Sequence, residues 1–230
     1  MVKQLKSTSL QVVLFVEGET DEVLFKALID YYRTISITEP HPCRICNLRG
    51  VTRYSSKLLA KLRNEFLSDA KNKAYRIQTV CCSYDTDVFE VRNPLMVDWN
   101  ALKKAVKRMG VDELIQLGIK SSIEDWLLCD QEGICRFLKL KDFPKTLNGN
   151  SGNEKLNDLF GKAKKVYQKG YQTKGLVAAL NMGVIRDMNK DILEPLEKAL
   201  NVTIWNPPPL RGTPFERGKR DSFLIEFDGF

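Results

Sequence analysis

The chain has 230 residues, 43% hydrophobic and 28% charged, which suits an ordinary globular protein of one domain, or one domain with an extension. No apolar run approaches the length of a membrane span and the opening MVKQLKSTSLQ has no apolar signal region, so a cytoplasmic protein is expected, its six cysteines reduced. With 36 basic and 29 acidic residues the net charge is +7, which favours an anionic partner, nucleic acid being the commonest.

In chain order, Gln11–Val16 reads as a short buried strand, cut by Gly18. Thr20 or Asp21 is placed to cap a helix in which Val23, Leu24, Ala27, Leu28 and Tyr31 recur at helical spacing. Residues 33–42 read as a loop, Arg44–Leu48 as a second strand, and Ser55 to about Ala70 as a helix with Leu58, Leu59, Leu62 and Phe66 on one face. Arg76–Ser83 is a third strand running into YDTD. An amphipathic helix follows over Asp98–Met109, then a strand at Leu114–Ile119 and helices at Ser122–Cys129 and Ile134–Leu140. Residues 142–153 are the most loop-like interior stretch; helices are expected near 154–168, 174–182 and 189–200. The tail is Pro-rich and basic, and ends in an alternating apolar segment fit for an edge strand.

Strand, helix, strand, helix, strand is the pattern of an α/β fold: a mainly parallel, Rossmann-like sheet flanked by helices, with a helical C-terminal extension. Residues 1–140 are expected to form the α/β domain, 141–205 a helical extension completing the site, and 206–230 a basic tail. Ligand sites in such sheets lie at the carboxyl ends of the strands. Both early acidic groups fall there: Glu17 and Asp21 around the turn after the first strand, Asp85 and Asp87 after the third. A glycine at 18 lets the turn bend sharply. Carboxylates gathered this way repel unless a hard cation with a preference for oxygen, such as Mg²⁺, lies between them. Singly, each cluster is as well explained by helix-dipole and turn preferences; together, each at the end of an apolar strand, they point to a metal site.

VEGETDEVLF followed by YDTDVF resembles the TOPRIM domain, with its glutamate-glycine turn and DxD pair, and is most similar to the small bacterial proteins related to OLD-type nucleases. SSIEDWLL, from Ser121 to Leu128, looks like the third acidic segment of those proteins, and YQTKG, with Lys174, like the source of their late lysine. The resemblance covers about residues 10–185. It implies that Glu17, Asp21 and Asp85 hold one Mg²⁺ or Mn²⁺ with Asp87 close by, and that Glu124, with Asp125 and Ser121 or Ser122, helps bind a second. Lys174 would approach the scissile phosphate or the nucleophilic water, with Lys165 and Lys169 as nearby alternatives. Two such ions, about 4 Å apart, stabilise the attacking and leaving oxygens of a phosphodiester displacement. In topoisomerases and primases the glutamate serves as general acid/base, so Glu17 is either a ligand or a proton carrier. The implied activity is metal-dependent hydrolysis of DNA or RNA, in phage defence or DNA repair, with a separate ATPase subunit as partner and homo-oligomers allowed. The alternatives are an RNA-processing nuclease of the same type, a non-catalytic metal-binding sensor or regulatory subunit of an ATPase-containing defence complex, and action on small phosphorylated molecules.

Other motifs are weaker. Cys43-x-x-Cys46 behind His41 lacks the second ligand pair a structural zinc needs, and Cys81-Cys82 reads as core. His41 is the sole histidine, with no nucleophile near it in sequence, and no P-loop is present. Basic residues gather at Lys103, Lys104, Lys107 and Arg108, at Lys162, Lys164, Lys165 and Lys169, and in the tail at Arg211, Arg217, Lys219 and Arg220. The 162–169 group, and Arg49 with Arg53 beside the second strand, are the candidates for contacting nucleic acid.

Overall fold

The computed structural model describes residues 9–87, 97–170 and 173–205; the basic tail, its arginines and lysine, and the expected terminal strand lie outside the described residues. The sequence from Val12 to Val16 is a continuous apolar run, as a central parallel strand covered on both faces requires, and all five side chains are fully buried. This strand, β1 (Ser9–Val16), leads into α1 (Glu19–Ile35), whose Leu24, Phe25, Leu28, Ile29 and Tyr32 form the buried stripe. Then come β2 (Cys43–Asn47), α2 (Arg53–Lys61), a turn of π-helix over Leu62–Leu67, α3 (Ser68–Lys73), β3 (Tyr75–Asp85), α4 (Trp99–Arg108) and β4 (Glu113–Ile119). The helix expected over residues 55–70 is thus one helical run from 53 to 73 with a widened middle.

All four strands are parallel, in the order β2-β1-β3-β4. The chain steps from β1 outward to β2, crosses back to pair β3 on the other side of β1, then continues to β4. The direction of winding therefore reverses between β1 and β3, which opens a crevice at their carboxyl ends. Strand alternation sorts β1 between two cores. Val12, Leu14 and Val16 face α1 and the C-terminal helices; Val13 and Phe15 face α2, α3 and α4 with Tyr54, Leu58, Leu62 and Val106.

Beyond β4 the chain forms α5 (Ile123–Leu127), a 3-10 turn at Leu128–Asp130, α6 (Gln131–Leu138), α7 (Gly152–Lys162), α8 (Thr173–Ala178), α9 (Met182–Met188) and α10 (Lys190–Ala199). Reciprocal caps open α5 (Ser122 with Asp125) and α7 (Ser151 with Glu154). The helix expected over 174–182 stops early, because the Asn181 side chain accepts the Gly183 and Val184 amides and starts a new helix, α9, there. These helices share α1's core: Leu156, Leu176, Leu193 and Leu196 lie in one cluster with Val12 and Leu14, so the stretches before and after residue 140 are packed on the same face. A buried bidentate pair, Arg186 with Glu197, ties α9 to α10. Asp130 accepts the amides of Gly133 and Asn181 and so joins the start of α6 to that of α9. All six cysteines are free thiols, with Cys81 and Cys82 in the two cores. Among the described residues no helix is long and apolar enough to cross a membrane.

Tyr54, fully buried on α2, sends its hydroxyl to the carbonyl oxygens of Phe15 (3.0 Å) and Ser83. Phe15 and Cys82 are the last paired residues of β1 and β3, so the hydroxyl supplies the proton where the ladder stops. Tyr54→Phe should therefore lower the stability of the protein by about 1–3 kcal/mol in urea unfolding, the usual cost of stranding buried acceptors.

Candidate functional site

Four elements bring acids to the crevice between β1 and β3. Glu17 follows β1 directly, Asp21 lies in the first turn of α1, Asp85 is the last residue of β3, and Glu124 is the second residue of α5. With Lys169 and Gly170 they line a cavity of about 380 Å³. Each acid has one buried oxygen with no hydrogen-bond partner: Glu17 Oε1, Asp21 Oδ1, Asp85 Oδ1 and Glu124 Oε2. Glu124 is wholly buried and Asp21 is 5% exposed.

Burial pushes the Glu17 carboxyl up to about 8, helped by the charges of Asp21 and Asp87 and opposed by a hydrogen bond from the Asp85 amide. Asp85 is likewise raised to about 8, by burial first and then by Asp21, Glu17, Glu124 and Asp87. Asp21 rises to about 7 through burial and the charge of Glu124; backbone amides at the start of α1 and the ammonium of Lys169 pull it down. Proximity also explains the glycine at 18. Its backbone is extended, φ −137°, a conformation open to any residue, but a Cβ there would stand 3.1 Å from Asp21 Oδ2. The expectation that Gly18 serves a sharp bend is thus replaced by a space requirement beside a carboxylate.

The segment after α7 closes over Glu124. Lys169 Nζ lies 3.0 Å from Glu124 Oε1, and the Tyr167 hydroxyl donates to the same oxygen at 3.3 Å. Gly170, at φ +91°, donates its amide to Thr20 Oγ1 (3.0 Å), which also meets Thr173 Oγ1 (3.3 Å). A Cβ on Gly170 would stand 2.7 Å from Glu19 Oε2, the end of an exposed side chain that can move aside, so it is the backbone angle that calls for glycine.

Several expected positions lie elsewhere. Lys174 lines a separate cavity with Glu19, Glu22, Lys26 and Asp30 along α1, and Lys169 is the lysine that reaches the acids. Asp125 turns to its own helix start, where Oδ2 accepts from the Ser122 amide (3.2 Å) and hydroxyl (3.0 Å), and does not line the acidic cavity. Asp87 is exposed at the rim, its amide 3.4 Å from the Ser121 carbonyl. Arg49 and Arg53 flank the end of β2, and the Gly50 amide between them donates to the Glu17 carbonyl (2.8 Å). Lys162 pairs with Asp158, whereas Lys164 and Lys165 are exposed with no carboxylate partner among the described residues. Thr20 was expected only as a helix cap, a position that Gly18 takes, and Tyr167 and Tyr54 went unmarked because their contacts are with residues distant in sequence.

Among the described residues no three acidic, cysteine or histidine side chains are gathered closely enough to grip a metal ion unaided. The donor set is nonetheless all oxygen, with four buried lone partners around one space. That fits a hard, partly hydrated divalent cation, which takes one or two carboxylates and keeps its waters, better than a closed cage.

No family profile and no curated protein sequence matches the chain. Among solved structures it is weakly similar to the C-terminal region of the OLD protein of Xanthomonas campestris pv. campestris. The platinum-phased structure gives a TM-score of 0.39 at 14% identity over 83% of this chain and 93% of the other. The mercury-phased one gives 0.36 at 15% over 84% and 98%, and the iodine-phased one 0.28 at 15% over 85% and 82%.

Because Glu17, Asp21 and Asp85 bind protons more tightly folded than at their ordinary values of 4.5, 3.8 and 3.8, the metal-free fold loses stability as pH rises from about 4 to about 8. Thermal melting between pH 5.5 and 8 should show this decline, and Asp85→Asn should flatten it. At pH 8, millimolar Mn²⁺ or Mg²⁺ should raise the melting temperature of the parent by about 2–8 °C and leave Asp85→Asn nearly unmoved.

Proposed function

We propose that the protein is a metal-dependent nuclease of TOPRIM type that hydrolyses phosphodiester bonds of DNA or RNA. The observation that carries this reading is the set of four unpartnered carboxylate oxygens from Glu17, Asp21, Asp85 and Glu124 around one cavity at the β1/β3 reversal, with a lysine at its edge. The sequence resemblance supports it on the same residues, and the net charge of +7 suits a polyanionic substrate. Defence against phage or DNA repair, beside a separate ATPase, follows from the resemblance alone.

In this reading Glu17, Asp21, Asp85 and Glu124 hold Mg²⁺ or Mn²⁺, and Asp87 adds negative charge at the rim. When bound, the ions supply an activated water and charge compensation at the phosphate. Glu17 stands beside the cavity, placed either to ligate or to carry a proton; its carboxyl, raised to about 8 by burial when no ion is present, would ionise on binding one. Lys169 takes the role first expected of Lys174: its ammonium, beside Glu124 at the edge of the cavity, would meet a phosphate oxygen of the substrate. Lys164 and Lys165, on the segment leading to Lys169, and Arg49 and Arg53, after β2, would contact the nucleic-acid backbone.

With Mn²⁺ or Mg²⁺ the protein should cleave single- or double-stranded DNA or RNA, and with EDTA it should not. Asp85→Ala and Asp87→Ala together should abolish cleavage while the fold persists; a folded parent inactive on every such substrate with either ion would overturn the reading. Lys169→Ala should lower kcat by about 10²-fold, as loss of a transition-state cation does, while Lys174→Ala stays within about twofold.

A further inference from the structure

The strap that closes over Glu124 has a second cavity on its other side, also about 380 Å³, between Phe137, Phe160, Lys165, Val166 and Gln168. That volume is at the lower end of the roughly 300–1,000 Å³ found for small-ligand sites. Its walls are aromatic and apolar. Phe137 is half-buried, Phe160 packs edge-on to Tyr167 (5.5 Å between centroids) and tilted to Phe137 (6.4 Å), and Val166 is 72% exposed at the mouth. Its rim is cationic and polar: Lys165 Nζ stands 5.8 Å from the Phe137 ring centre, Lys164 is exposed beside it, and the Gln168 amide is exposed.

The two cavities share a partition. Tyr167 presents its ring to the aromatic side and its hydroxyl to Glu124, and Thr173 lines the aromatic side while touching Thr20 of the acidic one. Whatever occupies the second cavity sits one side-chain layer from the carboxylates. A flat π-face, donors and acceptors on one edge, and a negative charge within one covalent unit are what this space accommodates, and a nucleotide residue of a strand has all three. A continuous duplex keeps its bases stacked inside and offers this cavity only backbone.

We propose that the aromatic cavity binds an unpaired nucleobase next to the phosphate at the acidic site, so that the protein prefers single-stranded or frayed substrates. This rests on the nuclease reading and specifies its substrate. Lys165 and Lys164 meet the flanking phosphates, Phe137 stacks on the base, and Gln168 reads its edge.

The test is fluorescence anisotropy with a labelled single strand of about a dozen nucleotides and with its duplex, in Ca²⁺ buffer, using the full chain. Phe137→Ala should weaken single-strand binding by about tenfold, the usual effect of removing one stacking partner, with duplex binding changed less than about twofold. Val166→Glu, a surface change at the mouth, should act the same way without touching the core, and Phe137→Trp should keep the affinity. If both Phe137→Ala and Val166→Glu melt like the parent and bind the single strand within about twofold of it, or lose duplex binding equally, the base pocket is wrong. Mn²⁺-dependent cleavage by the same samples separates the two readings: intact cleavage with unchanged single-strand binding overturns the pocket alone, while neither binding nor cleavage of any strand overturns both.

Discussion

Taking a carboxylate out of water is among the costliest things a fold can do, and here four are drawn to one crevice with an unpartnered oxygen on each. The compensations in the structure are few and directional. The start of α1 aims amides at Asp21, the Asp85 amide bonds Glu17, and Lys169 with Tyr167 covers one oxygen of Glu124. Two of these groups come from the strap before α8, more than forty residues beyond Glu124 in the chain. The sheet alone therefore does not make a tolerable site. The Thr20 hydroxyl, meeting Gly170 and Thr173 across 150 and 153 residues, fastens the strap where its cation is needed.

The crevice itself is a product of winding. Because β2 and β3 leave β1 on opposite sides, their crossovers lie on opposite faces and a crevice is left at the strand ends. Tyr54 is bonded to one carbonyl of each strand where their pairing ends, so a buried phenol joins the β1–β3 ladder in holding together the strand ends that carry Glu17 and Asp85. Its proton is held firmly, well above its ordinary range, chiefly by burial and also by the nearby charges of Cys82, Glu17 and Asp21. The group that shapes the site thus remains a donor whatever the carboxylates do.

Much of this was legible in the chain. Apolar runs of β-branched residues gave the strands, Gly18 and the YDTD stretch marked their ends, and three of the four cavity acids lie next to those marks. What the sequence withheld depends on side-chain direction and long-range approach. Asp125 and Glu124 are adjacent, yet the capping box turns one to Ser122 and leaves the other facing the cavity. Lys169 and Lys174 are five apart, but Gly170 between them takes a positive φ, and Lys174, on α8, lines the cavity along α1 instead. No periodicity encodes such a turn. Asn181 falls inside the helix expected over 174–182, and its side chain instead caps α9 there.

For a polyanion the charge layout poses a problem that the geometry answers. The centre of the crevice is acidic and repels a nucleic-acid backbone, while the chain as a whole carries +7. Of the described cations Lys169 lines the crevice and is committed to Glu124; Lys165 lines the neighbouring aromatic cavity, and Arg49 and Arg53 follow β2 around Gly50, whose amide bonds the Glu17 carbonyl. Under the proposed reading a divalent ion would reverse the sign at the centre, and affinity for a strand and affinity for the ion would be coupled. Under the proposed reading, selectivity for the bond to be cut then arises where the two coincide, along the strap shared by both cavities.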